Sequence, residues 1–314
     1  MSRIEVIGLG AINLDYLCEV KELVTDSETL IEHIKATPGG SAANTIYGLA
    51  KLGIPTGFIG AVGDDENGKL CLKDFEAVGV DTSQIQVKKE AKSGYTLCLS
   101  DKLGRRSIYV SPCANSLLDQ DDVKLDYLNQ ARIVHLSSFA DDKQFNIQLD
   151  LVKGLPNSVK LSFAPGTLYA LKGMKALLPL LQKTYILFTN QEEIEHLTGK
   201  DLTSGASKCL DLGCHIVVVT LGKGLALESG GVFTSYIRHK DKEYKIAPRE
   251  ETWESQPETT GAGDAYAAGF LFGFLKEKSL ERCGQLGELM ARFAMRKAGA
   301  REGLPSLNVI LSHC

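Results

Sequence analysis

Ile4-Glu5-Val6-Ile7-Gly8-Leu9 is a near-continuous apolar run close to the start of the chain. A strand with one wet face alternates apolar and polar residues. A run this uniform is expected where a sheet is covered on both faces, as in parallel α/β sheets. Working outward, Ala42 to Leu52 carries Ile46, Leu49, Ala50 and Leu52 at helical spacing and stops at Gly53 and Pro55. Phe58 to Val62 reads as the next strand, and Glu66 to Val78 as a helix closed by Gly79. The rhythm continues with strands at Arg132–Leu136, Val159–Phe163, Tyr185–Phe188 and His215–Thr220. Helices fit between them at Lys143–Val152, Leu171–Leu181, Glu192–Leu197 and Ala206–Leu212. Strands alternating with helices predict an α/β fold with a doubly wound, mostly parallel sheet.

Two segments interrupt this rhythm. Gly94–Ser100 and Ser107–Ser111 flank a Gly-bearing turn, Asp101-Lys102-Leu103-Gly104-Arg105, which is a hairpin signal. Tyr16–Val20 and Thr29–Ala36 form a second strand-like pair. A parallel sheet has little use for hairpins in its core, so these four strands are expected to form a small separate sheet, inserted at about 12–36 and 94–111. Beside an active-site crevice such a sheet would act as a lid. A further hairpin is expected where Leu225–Glu228 and Phe233–Ile237 flank Gly230-Gly231, and a loop across Pro248–Pro257. With no repeat in evidence, residues 1–314 read as a single domain.

Composition narrows the function classes. Of 314 residues, 44% are apolar and 24% charged, as in ordinary globular proteins, and the net charge is −4. A nucleic-acid binder normally shows a basic excess, and the densest basic runs here are only Lys88-Lys89 and Arg105-Arg106. The longest apolar stretch, Ala265–Leu275, is shorter than the roughly 20 residues that span a bilayer. Met1 to Val6 does not resemble a secretory leader, so the expected location is the cytoplasm, with neither nucleic acid nor membrane as partner. None of the eight cysteines forms a C-x-x-C pair, and free, mostly buried thiols are the expectation.

Chemistry concentrates in two Gly-rich turns. Thr259-Thr260-Gly261-Ala262-Gly263-Asp264 precedes the apolar helix. Glycines ahead of a helix let backbone N–H groups converge, and the helix N-terminus adds partial positive charge, which together suit a phosphate. A carboxylate in that turn can accept a proton from an attacking hydroxyl. Alone, the turn reads equally well as a plain helix start. The apolarity of Ala265-Tyr266-Ala267-Ala268-Gly269-Phe270-Leu271 tips the balance, because a buried helix points its N-terminus into a crevice. The second turn, Pro38-Gly39-Gly40-Ser41-Ala42-Ala43-Asn44, opens the first helix, where Ser41 would serve as a cap and Asn44 offers paired donors and an acceptor. Asn13 and Asp15 follow the first strand, at the sheet edge where α/β proteins bind ligands.

Taken together, these two turns resemble the two signatures of the ribokinase family, the PfkB carbohydrate kinases. Asn190-Gln191-Glu192-Glu193 resembles the family's Asn-x-x-Glu motif, and Val218-Val219-Thr220-Leu221-Gly222-Lys223-Gly224 its nucleotide-binding strand and turn. The likeness spans essentially the whole chain. It implies transfer of the γ-phosphate of ATP to a hydroxyl of a small sugar or nucleoside. Carried over by position, it implies that Asp264 is the base and that Gly261, Ala262 and Gly263 supply the anion hole. Asn190 and Glu193 would act on Mg²⁺ through water, and Asn190, Thr220, Gly222, Gly224 and Gly263 would line the nucleotide site. Asn13, Asp15, Gly39, Gly40, Asn44 and Asp264 would hold the acceptor. A monovalent cation near Gly263 and Ala298-Gly299-Ala300, and a homodimer through the lid, belong to the same expectation. Two positions depart from the pattern: Ser41 stands where many relatives have Lys, and Glu258 where Asp often precedes the Thr-Thr pair. Ser137-Ser138-Phe139 offers no further carboxylate to an acceptor, and Phe139, Tyr109 and Tyr169 are the candidate platforms for a nucleobase. A non-catalytic sensor on the same scaffold is the alternative from another class, and intact Asp264, Asn190 and Glu193 speak against it.

Overall fold

The computed structural model describes residues 3–226, 230–248 and 259–313. In chain order the elements begin β1 (Val6–Leu9), β2 (Asn13–Val20), β3 (Ile31–Gly39), α1 (Ser41–Lys51), β4 (Thr56–Gly63), α2 (Glu66–Ala77), β5 (Asp81–Lys88), β6 (Gly94–Asp101) and β7 (Arg106–Ser111). There follow α3 (Leu125–Leu128), β8 (Ile133–Ser137), α4 (Asp142–Gly154), β9 (Lys160–Ala164), α5 (Gly166–Ala170), α6 (Gly173–Lys183), β10 (Thr184–Asn190), α7 (Gln191–Thr198) and α8 (Leu202–Asp211). The remainder comprises β11 (Ile216–Ala226), β12 (Val232–His239), β13 (Lys242–Ile246), α9 (Ala262–Leu275), α10 (Leu280–Ala294) and α11 (Leu307–Ser312).

Nine strands form one sheet in the order β13-β12-β11-β10-β9-β8-β1-β4-β5. The strands from β11 to β5 run parallel, and β12 and β13 add an antiparallel edge. Every residue of β1 and β4 is buried, as the uniform apolar run predicts. Alternate residues feed two separate cores. Val6, Phe58, Ile133 and Ile186 pack on the side of α1, α9 and α10, whereas Ile7, Ile59, Val134 and Leu187 pack on the opposite face. Such a sheet, sandwiched between helices, is the architecture expected from the sequence.

The four interrupting strands do form a second sheet, in the order β3-β2-β6-β7. Its two hairpins are antiparallel and join through a parallel β2–β6 pair. Asn13 and Asp15 lie in the first three residues of β2, which starts before the expected Tyr16, and both are buried. Elements additional to the expected set include the edge strand β5 and the long helix α10. Lys88 ends β5 and pairs with Asp122. The expected hairpin around Gly230-Gly231 falls partly, and the loop Pro248–Pro257 almost wholly, outside the described residues, as does Glu258. Cys18, Cys71, Cys98, Cys113, Cys209, Cys214 and Cys283 are all free. Among the described residues no helix is long and apolar enough to cross a membrane.

Helix α9 is the organising element. Nearly all of it is buried, and its small residues permit close packing on both sides. A Cβ on Gly48 of α1 would lie 2.8 Å from the Ala268 methyl, and one on Gly269 would lie 2.4 Å from the Leu286 carbonyl oxygen of α10. Fully burying each large side chain, such as Phe270 or Leu271, contributes roughly 1.5–3 kcal/mol. The result is that α1 and α9 lie in contact, with their first turns side by side.

Candidate active site

Asp264 sits in the first turn of α9 and faces the first turn of α1. Its Oδ1 accepts a hydrogen bond from Ser41 Oγ at 2.7 Å, and its Oδ2 accepts one from Asn44 Nδ2 at 2.8 Å. Thr45 Oγ1 donates to the Asp264 carbonyl at 3.3 Å. Burial pushes the Asp264 carboxyl up to about 7. The Asn44 and Ser41 donors oppose that rise, and the negative charges of Asp15 and Glu193 add to it. A buried carboxyl poised near neutrality has the electrostatic profile that suits a general base. The position where a lysine is frequent in relatives is thus filled by a hydroxyl that bonds this carboxylate directly.

The turn before α9 depends on its glycines. Gly261 has φ +74°, and a Cβ there would lie 2.4 Å from the Ala300 methyl. Gly263 is exposed, and a Cβ there would meet nothing within 4 Å, so a ligand can approach its backbone. The N–H of Ala262 donates back to the Thr259 carbonyl at 3.2 Å. The amides of Gly263 and Asp264 lie in the first turn of α9, where N–H groups lack intrahelical acceptors and can meet an anion.

Asp15 and Asn13 approach from the lid sheet. Asp15 Oδ1 accepts from Thr96 Oγ1 at 2.6 Å. Burial raises its carboxyl above the ordinary range, against the Thr96 donor and the positive charge of Arg301. Gly39, opposite Asn13 in the β2–β3 ladder, leaves the space that Asp15 uses: a Cβ on Gly39 would lie 2.0 Å from Asp15 Oδ2. Gly40, at φ +100°, turns the chain into α1, where a Cβ would strike the Ala11 carbonyl. Asn13 Oδ1 accepts from Asn115 Nδ2 at 2.9 Å, and Asn115 also bridges both backbone groups of Ile12.

Farther along the sheet edge, Asn190 ends β10 and caps α7. Asn190 Oδ1 accepts from the Glu193 amide at 2.8 Å, and Glu193 Oε2 accepts from the Asn190 amide at 3.0 Å, a reciprocal capping box. Burial raises the Glu193 carboxyl, with the Asn190 amide opposing. Thr220 Oγ1 donates to Thr189 O at 3.5 Å, and the β11–β12 ladder is interrupted just after it. Gly222 and Gly224 adopt φ +56° and +86° in that interruption, and the space beside Gly222 is open. Asn190 and Thr220 are direct partners across β10 and β11, which brings the expected metal and nucleotide residues to one edge.

The remaining candidates divide differently. Ser137 Oγ accepts from the Ala42 amide at the start of α1. Phe139 and Tyr169 are buried in the core on the far face of the main sheet. Tyr109 pairs with Leu97, which pairs with Tyr16, whereas Asp15 pairs with Thr96; successive residues of a strand face opposite sides, so Tyr109 lies on the lid face away from Asp15. None of the three proposed platforms lines the acceptor side. Arg105 pairs with Asp101 in its own hairpin. Arg106 reaches from the lid to the anion turn, donating to Thr259 Oγ1 and Thr260 Oγ1, both at 2.6 Å. One buried residue that sequence reasoning missed, Arg301, bonds Asn44, Asp74 and the Gly39 carbonyl.

Residues 1–307 match the model of the pfkB family carbohydrate kinases. The chain is 38% identical over 261 residues, 82% of its length and 98% of the other's, to an uncharacterized sugar kinase of Archaeoglobus fulgidus. It is 26% identical to a nucleoside kinase of Methanothermobacter thermautotrophicus, covering 96% of this chain and 92% of that protein. The structure of Arabidopsis thaliana ribokinase complexed with ribose and ATP superposes with a TM-score of 0.80 at 26% identity, covering 98% of each chain. The chain is therefore a member of the pfkB family of carbohydrate kinases, a phosphotransferase of the carbohydrate or nucleoside kinase type.

Proposed function

We propose that the protein transfers the γ-phosphate of ATP to a hydroxyl of a small sugar, with Asp264 as general base. The observation that carries this reading is the Asp264 carboxylate, held by Ser41 and Asn44 at the mouth of a glycine turn and poised near neutrality. The acceptor lies against Asn13, Asp15, Gly39, Gly40 and Asn44. Its attacking hydroxyl gives its proton to Asp264 as the oxygen meets the phosphorus in line. The amides of Gly263 and Asp264 at the α9 N-terminus receive the negative charge of the transferring group. Thr220, Gly222 and Gly224 line the nucleotide. A sugar is favoured over a nucleoside because Phe139, Tyr109 and Tyr169 all lie away from the acceptor side.

Magnesium fits this edge in one way. Among the described residues no three acidic, histidine or cysteine side chains cluster as a cage. Mg²⁺ needs few protein ligands when it keeps waters and phosphate oxygens, so Glu193 and Asn190 would hold it through water, where it would neutralise phosphate charge. The monovalent cation implied by the family would sit beside the segment 298–300, which packs under Gly261. The whole chain acts as one catalytic unit, with the small sheet as its lid.

The test is ADP release from Mg·ATP over a panel of sugars and nucleosides, run on the native protein and on Asp264→Asn. The expected outcome is turnover with one sugar class, and a loss of about 10²–10⁴-fold in kcat for Asp264→Asn with nucleotide affinity retained. Near-normal kcat in the variant would remove the base assignment. Turnover restricted to nucleosides would reverse the acceptor choice, and binding without turnover across the panel would favour a sensor.

A further inference from the structure

We infer that Arg301 is a positioning residue for phosphoryl transfer, acting by fixing the amide of Asn44 so that its donor end faces the base. The inference rests on the reading of Asp264 as that base. Arg301 lies 37 positions beyond Asp264 in a turn between α10 and α11, and only 3% of its surface is exposed. All three kinds of guanidinium nitrogen are engaged. Nε donates to Asn44 Oδ1 at 2.9 Å, Nη1 to Asp74 Oδ2 at 2.6 Å and Nη2 to the Gly39 carbonyl at 3.2 Å. Its plane lies over the rings of Tyr47 and Phe75, with centroids 5.1 and 4.9 Å away.

The consequence follows from the chemistry of an amide. Asn44 has one acceptor end and one donor end. Because Nε–H of Arg301 can only donate, it selects the orientation in which Asn44 Oδ1 points to it and Nδ2 points to Asp264 Oδ2. The flipped amide would set an oxygen against the Asp264 carboxylate and two donors against the guanidinium. Arg301 thereby holds the base through one intermediary while its third contact pins the carbonyl of Gly39, the residue that makes room for Asp15. A single planar fork thus ties the acceptor turn and the base to α2 through Asp74. Lysine cannot reproduce this, since an ammonium is a point charge without the fork geometry.

The experiment measures kcat and both KM values, with Tm as a check on folding, for Arg301→Gln, Arg301→Lys, Asn44→Ala and the Asn44→Ala/Arg301→Gln double variant. Asp264→Asn is assayed in parallel. Arg301→Gln is expected to lower kcat by about 10²-fold, the scale of a misplacement of about 1 Å, with the nucleotide KM unchanged. Arg301→Lys, which keeps the charge, is expected not to restore kcat. In the Asn44→Ala background the Arg301 substitution is expected to cost little more, because the two act in series. Full recovery by lysine, or losses that multiply in the double variant, would overturn the inference. If Arg301→Gln does not yield folded protein, Asp74→Ala releases the same guanidinium from the α2 side. A fall in kcat without a nucleotide KM change supports the inference there, and an unchanged kcat overturns it. Loss of activity in Asp264→Asn with no effect at Arg301 would sink only this inference, whereas full activity in Asp264→Asn would sink the base reading beneath it.

Discussion

Asp264 carries opposing influences that can be separated by single substitutions. Burial and the charges of Asp15 and Glu193 favour its protonated form, and Ser41 and Asn44 favour the ionised one. A general base works only when deprotonated, so kcat/KM should rise with pH through about 7. Ser41→Ala removes one donor to the carboxylate, raising its pKa further. The acid limb should move to higher pH, with the loss of activity greatest below neutrality and small well above it. A pH–rate profile of the two proteins checks this, and coincident acid limbs would mean that Ser41 does not act on the base. Linkage has the same sign. An unfolded carboxyl titrates near 3.9, so the contribution of Asp264 to stability is fully present below about 4 and is lost as pH rises through about 7. The residues whose chemistry is local were legible in the sequence: the glycines flanking Asp264 and Asn44 announce tight turns by themselves. Arg301 was not, because nothing near it in the chain shows that Asn44, Asp74 and Gly39 converge on it.

At the scale of elements, the small sheet is tied to the segments that flank α9 and α10. Arg106 on β7 donates to the hydroxyls of Thr259 and Thr260, immediately ahead of the anion turn. Lys35 on β3 pairs with Glu302 and donates to the Ala298 carbonyl, so the lid is tied at two places. Deleting 97–109 would strip most of β6 and β7 and expose β2, so a point substitution is the cleaner probe. Arg106→Ala should loosen the lid, admit water and raise the ratio of ATP hydrolysis to acceptor phosphorylation severalfold, read by comparing ADP and phosphorylated product. An unchanged ratio would mean that this contact does not control closure. The strand–helix rhythm was readable because β1, β4 and α9 are so uniformly apolar. Helix α10 escaped notice because its inward face mixes Leu286, Leu289 and Met290 with Gly284, Gly287, Glu288 and Arg292, blurring the apolar period. Glu288 and Arg292 are buried together as an ion pair, and the glycines admit Tyr266 and Ile246. Strand β5 escaped for the opposite reason: at the sheet edge only Ile85 is buried, and its pattern is nearly all polar.

For the whole molecule, the lid face away from Asp15 exposes Ile34 on β3 and Tyr109 on β7, the two outer strands of the small sheet, and Leu97 on β6 between them. Exposed apolar strands of this kind invite association between copies. Light scattering should find a dimer for the native protein and a monomer for Leu97→Lys/Tyr109→Glu, and a native monomer would remove the lid dimer. The site itself draws on distant parts of the chain: Asp15 from β2, Asn44 from α1, Glu193 from α7, Asp264 from α9 and Arg301 beyond α10. Asn44 and Asp264 are 220 positions apart, and Arg301 is 257 beyond Asn44. Seen from the ribosome, this separation acts as a timer. The turn that carries Asn44 emerges early, yet it meets Asp264 only after most of the chain has been synthesised, and the Arg301 guanidinium arrives later still. A nascent chain therefore exposes the Asn44 turn for most of its synthesis without the carboxylate and guanidinium that hold it in the folded protein.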